Sequence, residues 1–543
     1  MAKCVYGTWS LAGLKSRADI RSEPHLPWRS RVADAVARHS IHGHRNSPMI
    51  RIETARRTSL AVVAVCLAGC GAESVARPTT ELPLSAASAS AGSGGSALVV
   101  NVSNDTTAQN ETPLAVNPRN GANMITGSNE WNYNDGCGVN ATFDGGKTWT
   151  RSLPNGFLPG VTRYTNDPAV AGTGAYDYGG DPALAFGPDG TAYFACFGYQ
   201  ASPPYGVALL LSRSSDGGRT WLAGGAAAPL PLVSNFNGNG IARGSTGQFA
   251  DHEAMHVAAD GTIYVTWAQF NGNGSHSPVY IATSTNGGRS FNAPVKVTSG
   301  SVRNDQDQRV VTDPSTGTAY LTFDNSIQGG KGTALFVSTS RDRGASWSAP
   351  FQFATFQNPV CLFPPSCFNI SGAQFRGPGS YPVPAFDATT RRLFVAYTDI
   401  VGSTAQILLT SASIDDLTAW TTPQIVAPGG GDRINVEMSV ERNSGRIDLM
   451  ANDRSWSGNT LYDITYLGSR DHGSTWTTQR VTKTSWDPSQ YGVPSGTGVR
   501  PFIGDYDGIV SLPTSVGMTW TGPGKTYGAL PTNLEVYFGR VTP

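Results

Sequence analysis

The sequence repeats one short cassette six times, and this repetition limits the fold more than any other feature. Each copy has a hydroxyl residue, Asp or Asn two positions later, usually a Gly, then a small polar residue and an aromatic. The copies are Thr142–Trp149, Ser214–Trp221, Ser284–Phe291, Ser340–Trp347, Ser413–Trp420 and Ser469–Trp476. A unit that recurs in this way predicts a repeat architecture, in which neighbouring units stack to bury a continuous core.

The residues around each cassette predict four short strands per repeat. In the third repeat the strands are Ala254–Ala258, Thr262–Gln269, Val279–Thr283 and Ala293–Val297, and the cassette is the hairpin between the last two. Asp or Asn would bond its own backbone there while Gly supplies a positive φ. Four strands make one propeller blade. The predicted blades are 111–153, 181–233, 252–298, 306–353, 381–426 and 434–482.

A seventh blade without a cassette follows the sixth. Phe502–Thr521 contains a strand pair, and Leu534–Val541 supplies a third strand. The apolar segment Ala97–Val102 near the N-terminus would complete this blade and close the ring, which removes exposed sheet edges. With 64 Gly, 35 Pro and 14% charged residues, the chain favours a turn-rich, all-β fold. We therefore expect an all-β, seven-bladed propeller over 97–543; six blades with a C-terminal extension is the alternative.

The cassettes resemble the Asp-box, or BNR repeat, of sialidase-like β-propellers, and the resemblance covers nearly all of the predicted domain. Phe502-Ile-Gly-Asp505-Tyr506 resembles the Gly-Asp-Tyr segment of exported bacterial proteins of this kind. In sialidases the family implies an arginine triad for the substrate carboxylate, a Tyr nucleophile activated by Glu, and an Asp acid/base. The Phe-Arg-Ile-Pro segment that carries the first arginine is absent, and Gln374-Phe-Arg376-Gly-Pro378 is only partly similar to it. The triad cannot be mapped residue by residue.

The first hundred residues predict export. Ser59–Gly69 is a short apolar run after Arg56 and Arg57, and Leu67-Ala-Gly-Cys70 resembles a bacterial lipobox. We expect upstream sequence read in error over 1–48, a lipoprotein signal over 49–69, a lipid on Cys70 and a flexible tether over 70–96. An ordinary secretory signal is the alternative. The protein would then be exported, and either lipid-anchored to the cell envelope or secreted.

Charge and cysteine content restrict the partners further. Residues 1–69 hold 11 of the 39 basic and 4 of the 39 acidic residues, which leaves 28 basic and 35 acidic. This mildly acidic balance argues against nucleic-acid binding. Four cysteines lie in the domain, and export favours disulfides, which we pair as Cys361 with Cys367 and Cys137 with Cys196. We expect a monomer that contacts membrane only through its anchor.

A column of polar residues marks the expected site. Aligning the seven repeats on their apolar cores places one polar or ionisable residue at the start of each first strand, where the strands line the central channel. These residues, the axial column, are Glu111, Asp181, His252, Asp307, Tyr381, Asn435 and Asp505. Beside the column lie Arg309, Glu437, Asp507, Asp251, Glu253 and Tyr506. Such a ring suits sugar binding, a hard cation or a general acid and base; plain turn chemistry at wet strand entrances is the alternative.

These residues favour a carbohydrate-active propeller, with a glycoside hydrolase acting on anionic sugars as the leading hypothesis. Asp181 and Asp307 are the acid/base candidates, and Arg309 or Arg500 would bind the anionic sugar. Asp505, Tyr381 and His252 are further catalytic candidates, while Glu111, Asn435 and Tyr506 would contact substrate. A polysaccharide lyase using His252 with Tyr381 or Tyr506 is a related alternative. A non-catalytic propeller that binds glycan or protein is another.

No cofactor is expected. The chain has no run of alternating Asp and Asn closed by a Glu, as in a dedicated calcium loop. A structural calcium ion at Asp177, Asp181 or Asp305-Gln-Asp307 is a weaker expectation.

Overall fold

The computed structural model describes residues 90–91, 97–104, 108–131, 135–153, 160–165, 169–200, 206–221, 230–233, 248–271, 277–298, 302, 305–325, 334–357, 381–428, 430–495, 498–524 and 533–543. The predicted leader, its signal and Cys70 lie outside these residues, as do Cys361 and Cys367. Within the described part of the chain, no helix is long and apolar enough to cross a membrane.

Seven four-stranded antiparallel sheets form the blades of a propeller, as the sequence predicted. The innermost strands are Leu114–Asn117, Tyr178–Phe186, Gln248–Val257, Gln306–Thr312, Val383–Asp387, Arg433–Val440 and Gly508–Ser511. The second strands are Asn120–Trp131, Ala192–Gln200, Ile263–Asn271, Ala319–Asp324, Arg392–Val401, Ile447–Asp453 and Val516–Pro523. The third strands are Asp135–Thr142, Gly206–Ser214, Val279–Ser284, Ala334–Ser340, Thr404–Ser413, Asp463–Ser469 and Leu534–Val541. The outermost strands are Thr150–Arg151, Leu230–Val233, Val295–Lys296, Phe351–Thr355, Gln424–Ile425, Thr477–Arg480 and Leu98–Asn101.

Short elements outside this pattern complete the described fold. Gln109–Asn110 pairs with the second strand of blade 1, and Ser90–Ala91 pairs in parallel with the outermost strand of blade 6. Val493–Ser495 and Gly498–Arg500 form a small hairpin. Ser455–Ser457 and Pro488–Gln490 are single turns of 3-10 helix.

The N-terminal strand closes the ring, which confirms the seven-bladed prediction. Leu98–Asn101 is antiparallel to Leu534–Val541 and becomes the fourth strand of blade 7, with Leu98 opposite Arg540. Consecutive innermost strands contact each other around the axis, and the strand of blade 7 contacts that of blade 1. Closure pairs the outer side of Leu534–Val541, which would otherwise be an exposed sheet edge.

Hydrophobic clusters between neighbouring blades hold the ring together. Ile125 of blade 1 packs in one cluster with Phe194 of blade 2, while Met124 faces Phe538 of blade 7. Because successive side chains of a strand point to opposite faces of the sheet, each strand contributes to the clusters on both sides of its blade. A disulfide joins Cys137 of blade 1 to Cys196 of blade 2, the pair expected from the sequence. The repeats are therefore tied side to side rather than around one central core.

The cassettes form the turns between the third and outermost strands, where local hydrogen bonds fix the chain. In the first copy the Thr142 hydroxyl donates to Asp144 Oδ1 at 2.9 Å and accepts from the Gly146 N–H at 3.0 Å. Gly146 has φ 87°, and a Cβ there would lie 2.0 Å from the Phe538 ring. In the fifth copy Asp416 rather than Asp415 accepts from Thr418. The cassettes thus stabilise, in the six blades that have one, the end opposite the axial column.

Candidate functional site

The axial column has an unusual backbone. Five of its seven residues have left-handed φ between 53° and 61°: Glu111, Asp181, His252, Asp307 and Asn435. In blades 2, 3, 4 and 6 the pairing of the innermost with the second strand shifts register at this point. Such bulges redirect a side chain, and left-handed φ in a residue other than Gly costs on the order of 1–3 kcal/mol. The same distortion therefore places a polar side chain at the mouth of the channel in most blades.

Blades 5 and 7 reach the mouth differently. Tyr381 precedes a regularly paired innermost strand, without left-handed φ. In blade 7 the left-handed residue is Gly504, one position before Asp505, with φ 102°. A Cβ on Gly504 would lie 2.8 Å from the backbone nitrogen of Glu111. Glycine is required here because blade 7 packs its entrance directly against that of blade 1.

Three carboxyl groups meet where blades 7, 1 and 2 adjoin. Asn129 donates to Glu111 Oε2 and its Oδ1 accepts the Asp181 N–H at 2.7 Å. The Asp505 N–H donates to Glu111 Oε1 at 3.3 Å. Burial and the adjacent Glu111 carboxylate raise the pKa of Asp181 to about 8. Sequence reasoning missed Asn129, whose only signal was an amide near the end of an otherwise buried second strand.

His252 lies at the centre of the mouth. Its Nδ1 is 3.1 Å from Asp307 Oδ1, and its backbone N–H donates to Asp181 Oδ2 at 3.3 Å. The imidazole packs edge-on against Tyr381 and Tyr506, with ring centroids 5.1 and 5.5 Å away. Burial and the Asp324 carboxylate raise the pKa of Asp307 well above its usual range. The structure thus brings four column residues, from the four consecutive blades 2 to 5, into one cluster.

The far side of the mouth is held by a part-buried ion pair and an amide. Arg309 donates to both Glu437 oxygens, at 2.9 and 2.8 Å. Asn435 Nδ2 donates to Asp507 Oδ2 at 2.7 Å. Burial and the Glu437 carboxylate raise the pKa of Asp507 to about 8. The Arg309 guanidinium, expected to bind an anionic sugar, is therefore already paired with Glu437. Arg500 ends the small hairpin, and its side chain lies outside the described part.

A cavity of about 280 Å³ extends along the axis beneath the mouth, and all seven blades line it. His252, Glu253, Arg309 and Glu437 contribute its polar surface. Tyr506 reaches across the channel, where its hydroxyl donates to the Pro182 carbonyl at 3.2 Å. Burial and the Glu111 carboxylate raise the pKa of Tyr506 well above its usual range. Because Tyr506 stays protonated, it can donate a proton but is poorly suited to act as a base.

The acidic side chains do not form a metal centre in the described residues. No group of three or more His, Cys, Asp or Glu side chains among them is arranged to hold a metal ion. Asp177, one of the expected calcium ligands, forms an ion pair with Arg163 at 3.0 Å. The calcium expectation stays a prediction.

Comparisons with known proteins find related folds but no family. No family model and no curated protein matches the sequence. The similar solved structures include sialidases and other glycan-active propellers. An ulvan lyase, described as a new family of polysaccharide lyase, is 10% identical with TM-score 0.47, over 80% of this chain and 95% of the other. The Hadza microbial sialidase Hz136 is 15% identical with TM-score 0.41, over 80% and 66%. An α-L-arabinanase of Penicillium chrysogenum is 13% identical with TM-score 0.40, over 66% and 92%.

Proposed function

We propose that this protein is an exported carbohydrate-active propeller, and that it hydrolyses glycosidic bonds at the mouth of its central channel. The observation that carries the proposal is Asp181, a carboxyl group whose pKa is raised to about 8 by burial and by Glu111. A carboxylic acid that stays protonated at neutral pH is what a glycosidase needs to protonate the leaving oxygen. The repeated left-handed bulges support a functional mouth, because such distortions concentrate at functional sites.

In this mechanism Asp181 donates its proton to the glycosidic oxygen as the bond to the anomeric carbon breaks. Glu111 and Asp505, which adjoin Asp181, stabilise the positive charge that develops on the sugar ring. Water attacks the anomeric carbon and transfers its proton to His252, which Asp307 orients through Nδ1. The glycosidic C–O bond is replaced by a C–O bond to the water oxygen, and the leaving oxygen keeps the proton from Asp181. The proton on His252 returns to Asp181 through solvent before the next cycle.

Binding of an anionic substrate would require a cation other than Arg309. Its bidentate pairing with Glu437 leaves the described mouth dominated by carboxyl, amide and hydroxyl groups, which suit sugar hydroxyls. Arg500 remains the candidate for binding an anionic sugar. If turnover is confined to uronic-acid glycans or sialosides, Arg500→Gln should abolish it; if neutral glycans are cleaved, this variant should leave turnover unchanged.

A polysaccharide lyase is the second candidate, and the position of His252 between Tyr381 and Tyr506 favours it. In β-elimination His252 would remove the proton beside the uronic carboxylate, and protonated Tyr506 would donate to the leaving oxygen. The products separate the two reactions, because hydrolysis adds one water per bond cleaved whereas elimination creates a double bond without adding water.

An activity screen tests both reactions. The purified protein is incubated with arabino-, xylo-, galacto- and uronic-acid oligosaccharides and with sialyllactose, and products are identified by mass spectrometry. We expect products that have gained one water per bond. If all probes stay intact while some bind at the mouth, the protein is a non-catalytic glycan-binding propeller instead. Mass spectrometry of the membrane fraction separately tests export and anchoring, since an unmodified N-terminus other than Cys70 contradicts the lipid anchor.

A further inference from the structure

In the part of the chain that the structure describes, large exposed apolar side chains are few, and two of them share one loop. Among the described residues the large exposed hydrophobic side chains are Trp456, Leu461 and Phe351, with exposed fractions of 42%, 37% and 38%. Trp456 and Leu461 lie between the second and third strands of blade 6. We call these two side chains the blade 6 platform. Ligand sites combine apolar and aromatic side chains with a few polar groups, so an exposed aromatic near a polar cleft is a candidate ligand contact.

The blade 6 platform lies at the same end of the propeller as the axial column. The innermost strand of blade 6 begins at the column, near Asn435, and runs away from the mouth. The second strand, Ile447–Asp453, is antiparallel to it and therefore returns to the mouth, where the platform loop follows. Neighbouring strands are about 5 Å apart. The loop thus lies only one or two strand spacings outward from the channel entrance.

Buried contacts fix the loop before any ligand binds. Arg454, at its start, forms an ion pair with Asp432 at 3.0 Å, and its guanidinium lies over the Tyr462 ring. Trp456 donates from its indole N–H to the Thr465 hydroxyl at 2.7 Å. This bond uses the polar edge of the indole and restricts the ring's orientation. A rigid, exposed aromatic side chain binds at low entropic cost.

We propose that the blade 6 platform is a sugar-binding subsite, on which Trp456 stacks against the apolar C–H face of one residue of a glycan chain. The aromatic face carries partial negative charge and attracts such C–H groups. The platform is too small for a stable protein interface, which needs roughly 800 Å² per partner. The Ser457 and Thr460 hydroxyls donate to the Leu461 and Ser457 carbonyls at 2.7 Å, so they hold the loop that carries Trp456. This inference rests on the proposed function, and it makes the substrate an oligosaccharide long enough to span mouth and platform.

Chain length provides the test. KM is measured for the purified protein on the oligosaccharide series that the activity screen identifies, from disaccharide to hexasaccharide. Binding of every series in the screen is measured by calorimetry. Trp456→Ala should raise KM and Kd for the longer chains by roughly five- to tenfold and leave the disaccharide unchanged. Trp456→Phe should retain part of the difference. Phe351→Ala, at an equally exposed aromatic on the outermost strand of blade 4, should change nothing.

Each outcome separates the platform from the proposed function. If the glycan is cleaved but Trp456→Ala behaves like Phe351→Ala at every length, the platform is overturned and the hydrolase stands. If no glycan is cleaved but long chains bind in a Trp456-dependent way, the platform stands and the hydrolase is overturned. If no glycan is cleaved or bound, both are overturned. Melting temperatures of the variants show that the exposed substitutions leave the fold intact.

Discussion

The two ends of the propeller use aspartate in opposite ways. In the first cassette Asp144 accepts from the Lys147 and Thr148 N–H groups at 2.9 and 3.0 Å, and from the Thr148 hydroxyl at 2.6 Å. Although burial alone would raise its pKa, these bonds and one from Thr142 lower it to about 2. At the mouth, burial and Glu111 raise the pKa of Asp181 to about 8. Donors stabilise the cassette carboxylate as an anion, whereas at the mouth other carboxylates surround Asp181.

This difference indicates which aspartates are structural. A carboxylate whose oxygens are satisfied by its own turn gains stability and has no capacity left for a substrate. A carboxyl group held neutral among other carboxyl groups destabilises the fold when it ionises, and such groups are typical of functional sites. The cassette carboxylates therefore maintain the blades, and the raised pKa values of the column carboxyl groups are why we place the proposed proton transfer there.

The largest expected effect is on turnover when the mouth is changed. Asp181→Asn keeps the left-handed backbone, which Asn tolerates, but removes the proton donor. We expect the rate of glycan cleavage to fall at least about 100-fold, the usual size of a general-acid contribution. The matched control is Asp216→Asn in the second cassette, which should cleave like the unmodified protein. Equal cleavage rates for Asp181→Asn and Asp216→Asn would show that Asp181 is not the proton donor.

The disulfide should affect both stability and the mouth. It joins Cys137, which lies opposite Asn129, to Cys196, which precedes Phe197 opposite Gly180. Replacing both cysteines by Ser should lower the free energy of unfolding by about 2–5 kcal/mol. Turnover should also decrease when it is measured at temperatures where the variant is still folded, because Asn129 and Gly180 position Asp181. Cys361→Ser/Cys367→Ser is the control; unchanged turnover in Cys137→Ser/Cys196→Ser would show that the disulfide stabilises the blades without positioning Asp181.

The two ends should respond oppositely to pH. Asp181 and Asp507 ionise near pH 8 in the folded protein but near pH 4 when unfolded, so the unfolded state binds fewer protons between these values. Their contribution to the free energy of unfolding therefore declines as pH rises from about 4 to about 8. Asp144 ionises near pH 2 when folded, so its contribution is lost as pH falls from about 4 to about 2.

Denaturant titrations at several pH values measure this response. The Asp181→Asn variant should lose less stability than the unmodified protein between pH 4 and pH 8, because it lacks one ionising group. Asp216→Asn serves again as the control at the cassette end. A decline in Asp181→Asn that is as steep as in the unmodified protein, or steeper, contradicts the raised pKa.

The sequence predicted the architecture better than the site. The six cassettes and the segment Ala97–Val102 were sufficient to predict seven blades and the closure of the ring, because turn chemistry and strand alternation are local properties of the sequence. The same alignment placed the seven column residues at the mouth. It could not show that Glu437 pairs with Arg309 or that Asn129 links Glu111 to Asp181, because these contacts join residues from different strands. Pairing and burial decide the charge of a site, and both depend on the folded ring.

The smallest expected effect is the loss of one cassette carboxylate. Asp216 accepts from the Thr220 N–H at 2.9 Å and from its hydroxyl at 2.6 Å, so Asp216→Ala should lower the free energy of unfolding by about 1 kcal/mol without changing turnover. The fifth cassette supplies an internal control, because the Asp415 carboxylate contacts the exposed Arg391 and Asp416 holds the turn. Asp415→Ala should therefore cost less than Asp216→Ala in the same denaturant titration. If both substitutions lower the free energy of unfolding equally, the local turn bonds are not what stabilises the cassettes. Only burial would then distinguish the cassette aspartates from those at the mouth.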